Sequence, residues 1–132
     1  MIRVIRTVLL FTYLAFVPTA FSESYDRDAR LVGAWRNVEN SVLVTEITFR
    51  QDGSFFSKIV KNGEVYGEIE GKWLTRGNFL YYLYNKVSPP RVPVGTRDKD
   101  TIVEITKDYF IVYSVNQRTR KYVKDELNSL TK

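Results

Sequence analysis

Residues 43–60 read LVTEITFRQDGSFFSKIV, and this stretch decides the fold of the chain. Apolar side chains recur at every second position on both sides of the sequence Gln51-Asp52-Gly53. A period of two is typical of a half-buried β-strand, and Asp-Gly supplies residues that tolerate positive φ in a tight turn. The stretch therefore predicts a β-hairpin.

The same pattern continues along the rest of the chain, with further turn sequences at Asn62-Gly63 and Arg76-Gly77-Asn78. Eight strands are predicted, at residues 31–37, 43–50, 54–60, 64–75, 78–86, 101–106, 109–115 and 118–124. Short turns make successive strands antiparallel neighbours, and closing such a meander removes its exposed edges. The predicted fold is all-β, an eight-stranded antiparallel up-and-down β-barrel. A two-sheet sandwich is the alternative, because periodicity does not determine closure.

The composition removes several kinds of chemistry. The chain has 132 residues with no His and no Cys, so disulfides, thiol nucleophiles, Ser-His-Asp triads and Cys/His zinc sites are excluded. Asp98 and Asp100 are possible metal ligands, but the sequence organises no further oxygen ligands around them. We therefore expect a single folded domain that is not an enzyme and uses no cofactor or metal ion.

The first 22 residues have the layout of a signal peptide. Arg3 and Arg6 precede an almost wholly apolar run at residues 7–17, and cleavage after Ser22 places the small residue Ala20 where the peptidase reads it. The run is about half the roughly 20 residues that a transmembrane helix needs. The sequence thus predicts a signal peptide at residues 1–22, a barrel domain at residues 23–132 and a periplasmic or secreted protein with no integral membrane segment.

The net charge of the whole chain is +5, and losing the two signal-peptide arginines leaves +3. That value is too mild to indicate a polyanion-binding protein, so we expect no nucleic-acid partner. Basic residues do cluster near the end, at Arg118, Arg120, Lys121 and Lys124. We interpret them as a solvated strand face, with contact to an anionic surface as the alternative.

The connections of a meander alternate between the two barrel ends. The turns at 52–53, 77–78 and 107–108 share one end with the start of the first strand, and all three are tight. The other end receives the segment at residues 88–100, SPPRVPVGTRDKD, which has three of the four prolines. Long loops often carry function, so residues 88–100 are a candidate lid or protein-binding arm, and a tolerated surface insertion without function is the alternative.

Short motifs resemble those of known β-barrels. Gly33-Ala34-Trp35 is similar to the Gly-x-Trp sequence that opens the barrels of lipocalins, and Thr106-Lys107-Asp108-Tyr109 is similar to their Thr-Asp-Tyr element. The chain most resembles the short, exported bacterial lipocalin-like domains. The resemblance implies that Trp35 packs across the closed end, with Arg120, or alternatively Arg118, lying over its ring. It also implies that an apolar ligand enters at the opposite end.

Two functions follow from this interpretation. The leading one is non-covalent binding of a small hydrophobic or amphipathic ligand inside the barrel, with Ile47, Ile59, Tyr82 and Tyr84 as candidate lining residues. The alternative is a protein-interaction module, such as an inhibitor of an extracellular enzyme, with a filled core and binding loops. Alternation alone does not determine whether Tyr82 and Tyr84 or Tyr81 face inward.

Overall fold

The computed structural model describes residues 26–39 and 42–126 of the chain. The predicted signal peptide, residues 1–22, lies outside the described residues. A short 3₁₀ turn at Ala29–Leu31 precedes eight strands. The strands are β1 (Gly33–Val38), β2 (Leu43–Phe49), β3 (Ser54–Lys61), β4 (Glu64–Arg76), β5 (Phe79–Ser88), β6 (Arg97–Ile105), β7 (Tyr109–Ser114) and β8 (Thr119–Lys124).

The eight strands form one closed barrel in sequence order, and every neighbouring pair is antiparallel. Closure comes from β1 pairing with β8, with Trp35 opposite Lys124 and Arg36 opposite Val123. The predicted fold, an up-and-down eight-stranded barrel, is therefore confirmed, and the two-sheet sandwich is excluded.

The predicted bounds of the proline-rich connection are wrong. The proline-rich connection covers only residues 89–96 instead of 88–100, because β5 extends to Ser88 and β6 begins at Arg97. Asp98 and Asp100 are thus strand residues, paired with Tyr82 and Leu80 of β5. Residues 97–100 were assigned to the connection, but their backbones pair with β5, and Asp100 also pairs with Ser114 of β7.

Aromatic side chains fill the end of the barrel where β1 begins. Trp35, Phe49, Trp73 and Phe110 are all at most 1% exposed. The Trp35 and Phe110 ring centroids lie 4.9 Å apart in an edge-to-face arrangement, and those of Phe49 and Trp73 are also 4.9 Å apart. Both indoles satisfy their N–H groups: Trp35 Nε1 donates to the Leu31 carbonyl at 2.7 Å, and Trp73 Nε1 to the Arg50 carbonyl at 3.0 Å. This end is a dry, filled core.

The cation over Trp35 is Lys124, not Arg120. Lys124 Nζ lies 4.4 Å from the Trp35 ring centroid and donates to the Val32 carbonyl at 3.3 Å. Arg120 and Lys124 share the inward face of β8, but four residues along a strand span about 13 Å. The β1–β8 register puts Lys124 directly opposite Trp35, so Arg120 lies toward the other end of the barrel.

A double-mutant cycle tests the position of Lys124. We expect Trp35→Leu and Lys124→Met to show a coupling energy of about 0.5–1 kcal/mol in denaturant unfolding, because the cation–π contact is lost in either single variant. The matched cycle of Trp35→Leu with Arg120→Met should show coupling near zero. Equal coupling in both cycles would contradict the assignment.

Gly71 marks a second constraint on the barrel. A register shift separates Glu70 from Gly71 in the β4–β5 ladder, and a Cβ at Gly71 would overlap the Leu83 carbonyl oxygen and lie 2.9 Å from Phe55 Cε1. A Cβ at Gly67, on the same strand, would meet only the Ser88 carbonyl oxygen at an ordinary 3.7 Å. The backbone of β5 therefore packs against Gly71 and leaves room at Gly67.

We accordingly expect Gly71→Ala to lower the free energy of unfolding by roughly 1–3 kcal/mol, because overpacking must displace the β5 backbone. Gly67→Ala, the control on the same strand, should change it by less than about 0.5 kcal/mol. Urea denaturation midpoints measure both. Similar midpoints for the two variants would show that β4 and β5 are not so close at Gly71.

Candidate functional site

A cavity of about 410 Å³ occupies the half of the barrel away from Trp35. Its wall includes Val115 and Asn116 from the β7–β8 connection, which lies at the end predicted to be the entrance. The lining residues are Thr45, Ile47, Phe55, Ser57, Ile59, Ile69, Tyr82, Tyr84, Asp98, Asp100, Ser114, Val115, Asn116, Arg120 and Tyr122.

The cavity lies where several inward-facing side chains are small or aliphatic. Along β2 the inward positions run from Phe49 through Ile47 to Thr45, and along β3 they run from Phe55 through Ser57 to Ile59. An eight-stranded barrel has room inside for side chains or for one small ligand. Large aromatic residues use that room at the closed end, whereas the small residues leave it empty at the other end.

All four residues predicted to line a ligand site lie in this wall: Ile47, Ile59, Tyr82 and Tyr84. Tyr82 is 9% exposed, and its ring centroid lies 5.4 Å from that of Phe55. The pleat of β5 thus turns Tyr82 and Tyr84 inward, on the face opposite to Tyr81, which answers the question that alternation had left open.

Two acidic residues of the wall were not predicted as cavity residues. Tyr84 Oη donates to Asp98 Oδ2 at 2.8 Å, and Tyr82 Oη donates to Asp100 Oδ2 at 3.2 Å. The sequence did contain a signal for this placement. Arg97-Asp98-Lys99-Asp100 alternates base and acid at period two, which on a strand puts both acids on one face.

Arg120 is the third charged residue of the wall. Its Nε lies 3.5 Å from Glu39 Oε1, and the other oxygen of the same carboxylate lies 3.5 Å from Arg118 Nη2. Arg120 Nε is buried and forms no hydrogen bond within the part of the chain that the structure describes. The closed-end role predicted for Arg120 is thus replaced by a place beside the cavity, in an ion pair with Glu39.

The environment changes the acidity of these groups. Burial raises the pKa of Asp100 to about 6, and the nearby charge of Asp98 adds to this effect, whereas the Tyr82 hydroxyl and Arg120 oppose it. Burial also raises the pKa of both Tyr82 and Tyr84, with further contributions from the two carboxylates. The phenols therefore stay protonated at neutral pH and act as hydrogen-bond donors.

The proline-rich connection is tied to the barrel. Tyr84 N donates to the Thr96 carbonyl at 2.9 Å, and Gly95 N donates to the Tyr84 carbonyl at 2.7 Å. Arg91 lies over the Tyr66 ring, with 3.7 Å between its guanidinium carbon and the ring centroid. The backbone of the proline-rich connection therefore continues the ladder of β5, and the cation–π contact of Arg91 holds the middle of the connection against β4.

Two further acidic residues lie on the outside of the barrel. Glu68 and Glu70 are exposed on β4 together with Lys72 and form a solvated outer face. Residues 26–39 and 42–126 contain no group of three or more His, Cys, Asp or Glu side chains placed to hold a metal ion. The absence of catalysis stays a prediction.

The chain matches no protein-family model and no curated protein sequence. Within the described residues, no helix has the length and apolar character required to cross a bilayer.

Asp100 should make stability depend on pH. Its pKa rises from 3.8 to about 6 in the folded state, so the folded protein holds this proton more tightly than the unfolded chain. The free energy of unfolding should therefore fall as the pH rises from 3.8 to about 6. Asp100→Asn should remove that fall and raise the free energy of unfolding at pH 7 by of order 1 kcal/mol, once solvent screening of the partly exposed carboxyl is included.

Urea denaturation at pH 4 and pH 7 measures this effect. The difference between Asp100→Asn and the unsubstituted protein should be close to zero at pH 4 and clear at pH 7. Glu70→Gln, which removes an exposed carboxylate from the outer face, is the control and should show little pH-dependent difference. An Asp100→Asn variant that is less stable at pH 7 would contradict the assignment.

Proposed function

We propose that the protein is an exported, lipocalin-like barrel that binds one small hydrophobic or amphipathic molecule non-covalently. The observation that carries this proposal is the cavity of about 410 Å³ beyond the filled closed end. Ligand pockets are typically about 300–1,000 Å³, mostly apolar, with a few placed polar groups. Export is part of the proposal and rests on the sequence of residues 1–22.

Binding would be driven by desolvation. An apolar ligand exchanges its water for aliphatic and aromatic walls, which in this barrel are provided by Ile47, Phe55, Ile59 and Ile69. The hydroxyls and charged groups on the other wall then fix the polar end of the molecule. Trp35 and Trp73 have no part in binding, because they are buried in the closed end.

The barrel geometry supports the lipocalin-like assignment beyond the strand count. Gly33 and Trp35 open β1 at the filled end, and a cation of β8 lies over the indole ring. In this chain that cation is Lys124, a departure from the arginine that the family uses. The arrangement keeps one end closed, so the ligand must enter and leave from the other.

Blocking the cavity tests the proposal. Ile59→Trp places a large side chain in the hollow half and should lower the affinity for a neutral apolar fluorescent probe at least tenfold. Lys58→Trp is the matched control, because it adds the same side chain one residue away on the outer face of β3. Circular dichroism and thermal unfolding should show that both variants are folded.

Two results would overturn the proposal. One is equal probe affinity in the Ile59→Trp and Lys58→Trp variants. The other is an unsubstituted protein that binds no apolar probe and yields no small molecule on extraction with organic solvent and mass spectrometry. The second result would favour a protein-interaction module acting through residues 89–96.

A further inference from the structure

The cavity has one apolar wall and one polar wall. β2, β3 and β4 contribute mainly aliphatic and aromatic side chains, whereas both acids, the arginine and three tyrosines come from β5, β6 and β8. In a closed ring of eight strands, β2 lies across the interior from β6. A ligand in this cavity therefore meets hydrocarbon on one side and carboxylates on the other.

The carboxylates of the polar wall form no ion pair within the described residues. Asp98 and Asp100 lie two residues apart on the same face of β6, and their side-chain partners are the neutral hydroxyls of Tyr84 and Tyr82. Within the described residues, neither carboxylate has a Lys or Arg nitrogen within the 4.0 Å of an ion pair. Arg120 is instead paired with Glu39.

This charge distribution opposes that of the whole molecule. The chain carries a net charge of +5, yet the charged groups that line the cavity are two acids and one base that is already paired. Burying a carboxylate without a counter-charge is costly, and two neighbouring carboxylates repel each other. A cationic group placed between them would relieve both effects.

Aromatic rings next to the carboxylates add a second attraction for a cation. Phe55, Tyr82, Tyr84 and Tyr122 all line the cavity, and the Phe55 ring centroid lies 6.2 Å from that of Tyr84. An ammonium group is attracted by ring faces and by carboxylates alike, whereas an anionic headgroup is repelled by both. The hydrocarbon part of such a molecule matches Ile47, Ile59 and Ile69 on the opposite wall.

We propose that the ligand is an amphipathic amine, whose ammonium group lies at Asp98 and Asp100 and whose apolar part packs against β2, β3 and β4. This inference rests on the proposed function and names the chemical class of its ligand. Burial and the neighbouring Asp98 charge raise the pKa of Asp100 although the charge of Arg120 opposes them, which agrees with a carboxyl that has no ion-pair partner within the described residues.

Three molecules with the same hydrocarbon chain and different headgroups test the inference. Isothermal titration of the purified protein with octylammonium, octanol and octanoate at pH 7.5 compares a cation, a neutral hydroxyl and an anion. Octylammonium should bind at least tenfold more tightly than octanoate and more tightly than octanol.

A double variant assigns that preference to the two acids. Asp98→Asn with Asp100→Asn should bind the three molecules with similar affinities, because the polar wall no longer carries negative charge. The control is Glu68→Gln with Glu70→Gln, which also neutralises two acids spaced two residues apart, but on the outer face of β4. This control should keep the preference for octylammonium.

The possible failures are distinguishable. Octanol and octanoate binding as tightly as octylammonium would overturn the amine inference and leave cavity binding intact. Preferential binding of octanoate would also overturn it and would indicate that Arg120 recognises an anion. Binding of none of the three molecules would argue against the proposed function itself. If the Glu68→Gln with Glu70→Gln control also loses the preference for octylammonium, that preference arises from the overall charge of the protein, and the amine inference is overturned.

Discussion

Ring closure between β1 and β8 is the constraint on which the rest of this structure depends. Only two residue pairs join these strands in the ladder, and the Asn37 side chain extends the join by donating to the Lys121 carbonyl at 2.7 Å. Closing eight strands limits the interior to a narrow space. Every inward-facing side chain competes for that space, so the positions of the large residues decide which part is core and which part is cavity.

Alternation made much of this architecture predictable. The period-two pattern gave eight strands and their order, and the turn residues gave the two ends, because both signals are local in sequence. The candidate lining residues were Ile47, Ile59, Tyr82 and Tyr84, although alternation did not decide which face of β5 points inward. The depth of the cavity was not predictable, since it depends on side chains from several strands that meet only after closure.

Two features were not predicted from the sequence. Arg120 and Lys124 were interpreted as part of a solvated face but point inward, and which of them meets Trp35 depends on how β8 pairs with β1, which is the last contact in chain order. The start of β6 was missed for a different reason. Residues 97–100 were assigned to the proline-rich connection, although Arg97 and Lys99 face outward from β6 and Asp98 and Asp100 face inward.

The start of β6 is also where this chain departs most from the rules of its own fold. Asp is unfavourable in strands, and a carboxylate on an inward face loses hydration. Asp98 and Asp100 are both strand residues on the inward face, and Asp100 is half-buried, while the other inward positions of the barrel hold mainly apolar or aromatic residues. Departures of this kind are expected at functional sites, where stability is given up for recognition.

The closed end, with Trp35, Phe49 and Trp73 fully buried, is the part of the fold that offsets this cost. The division of the barrel into a filled half and a charged, hollow half thus separates stability from the chemistry that we assign to the cavity.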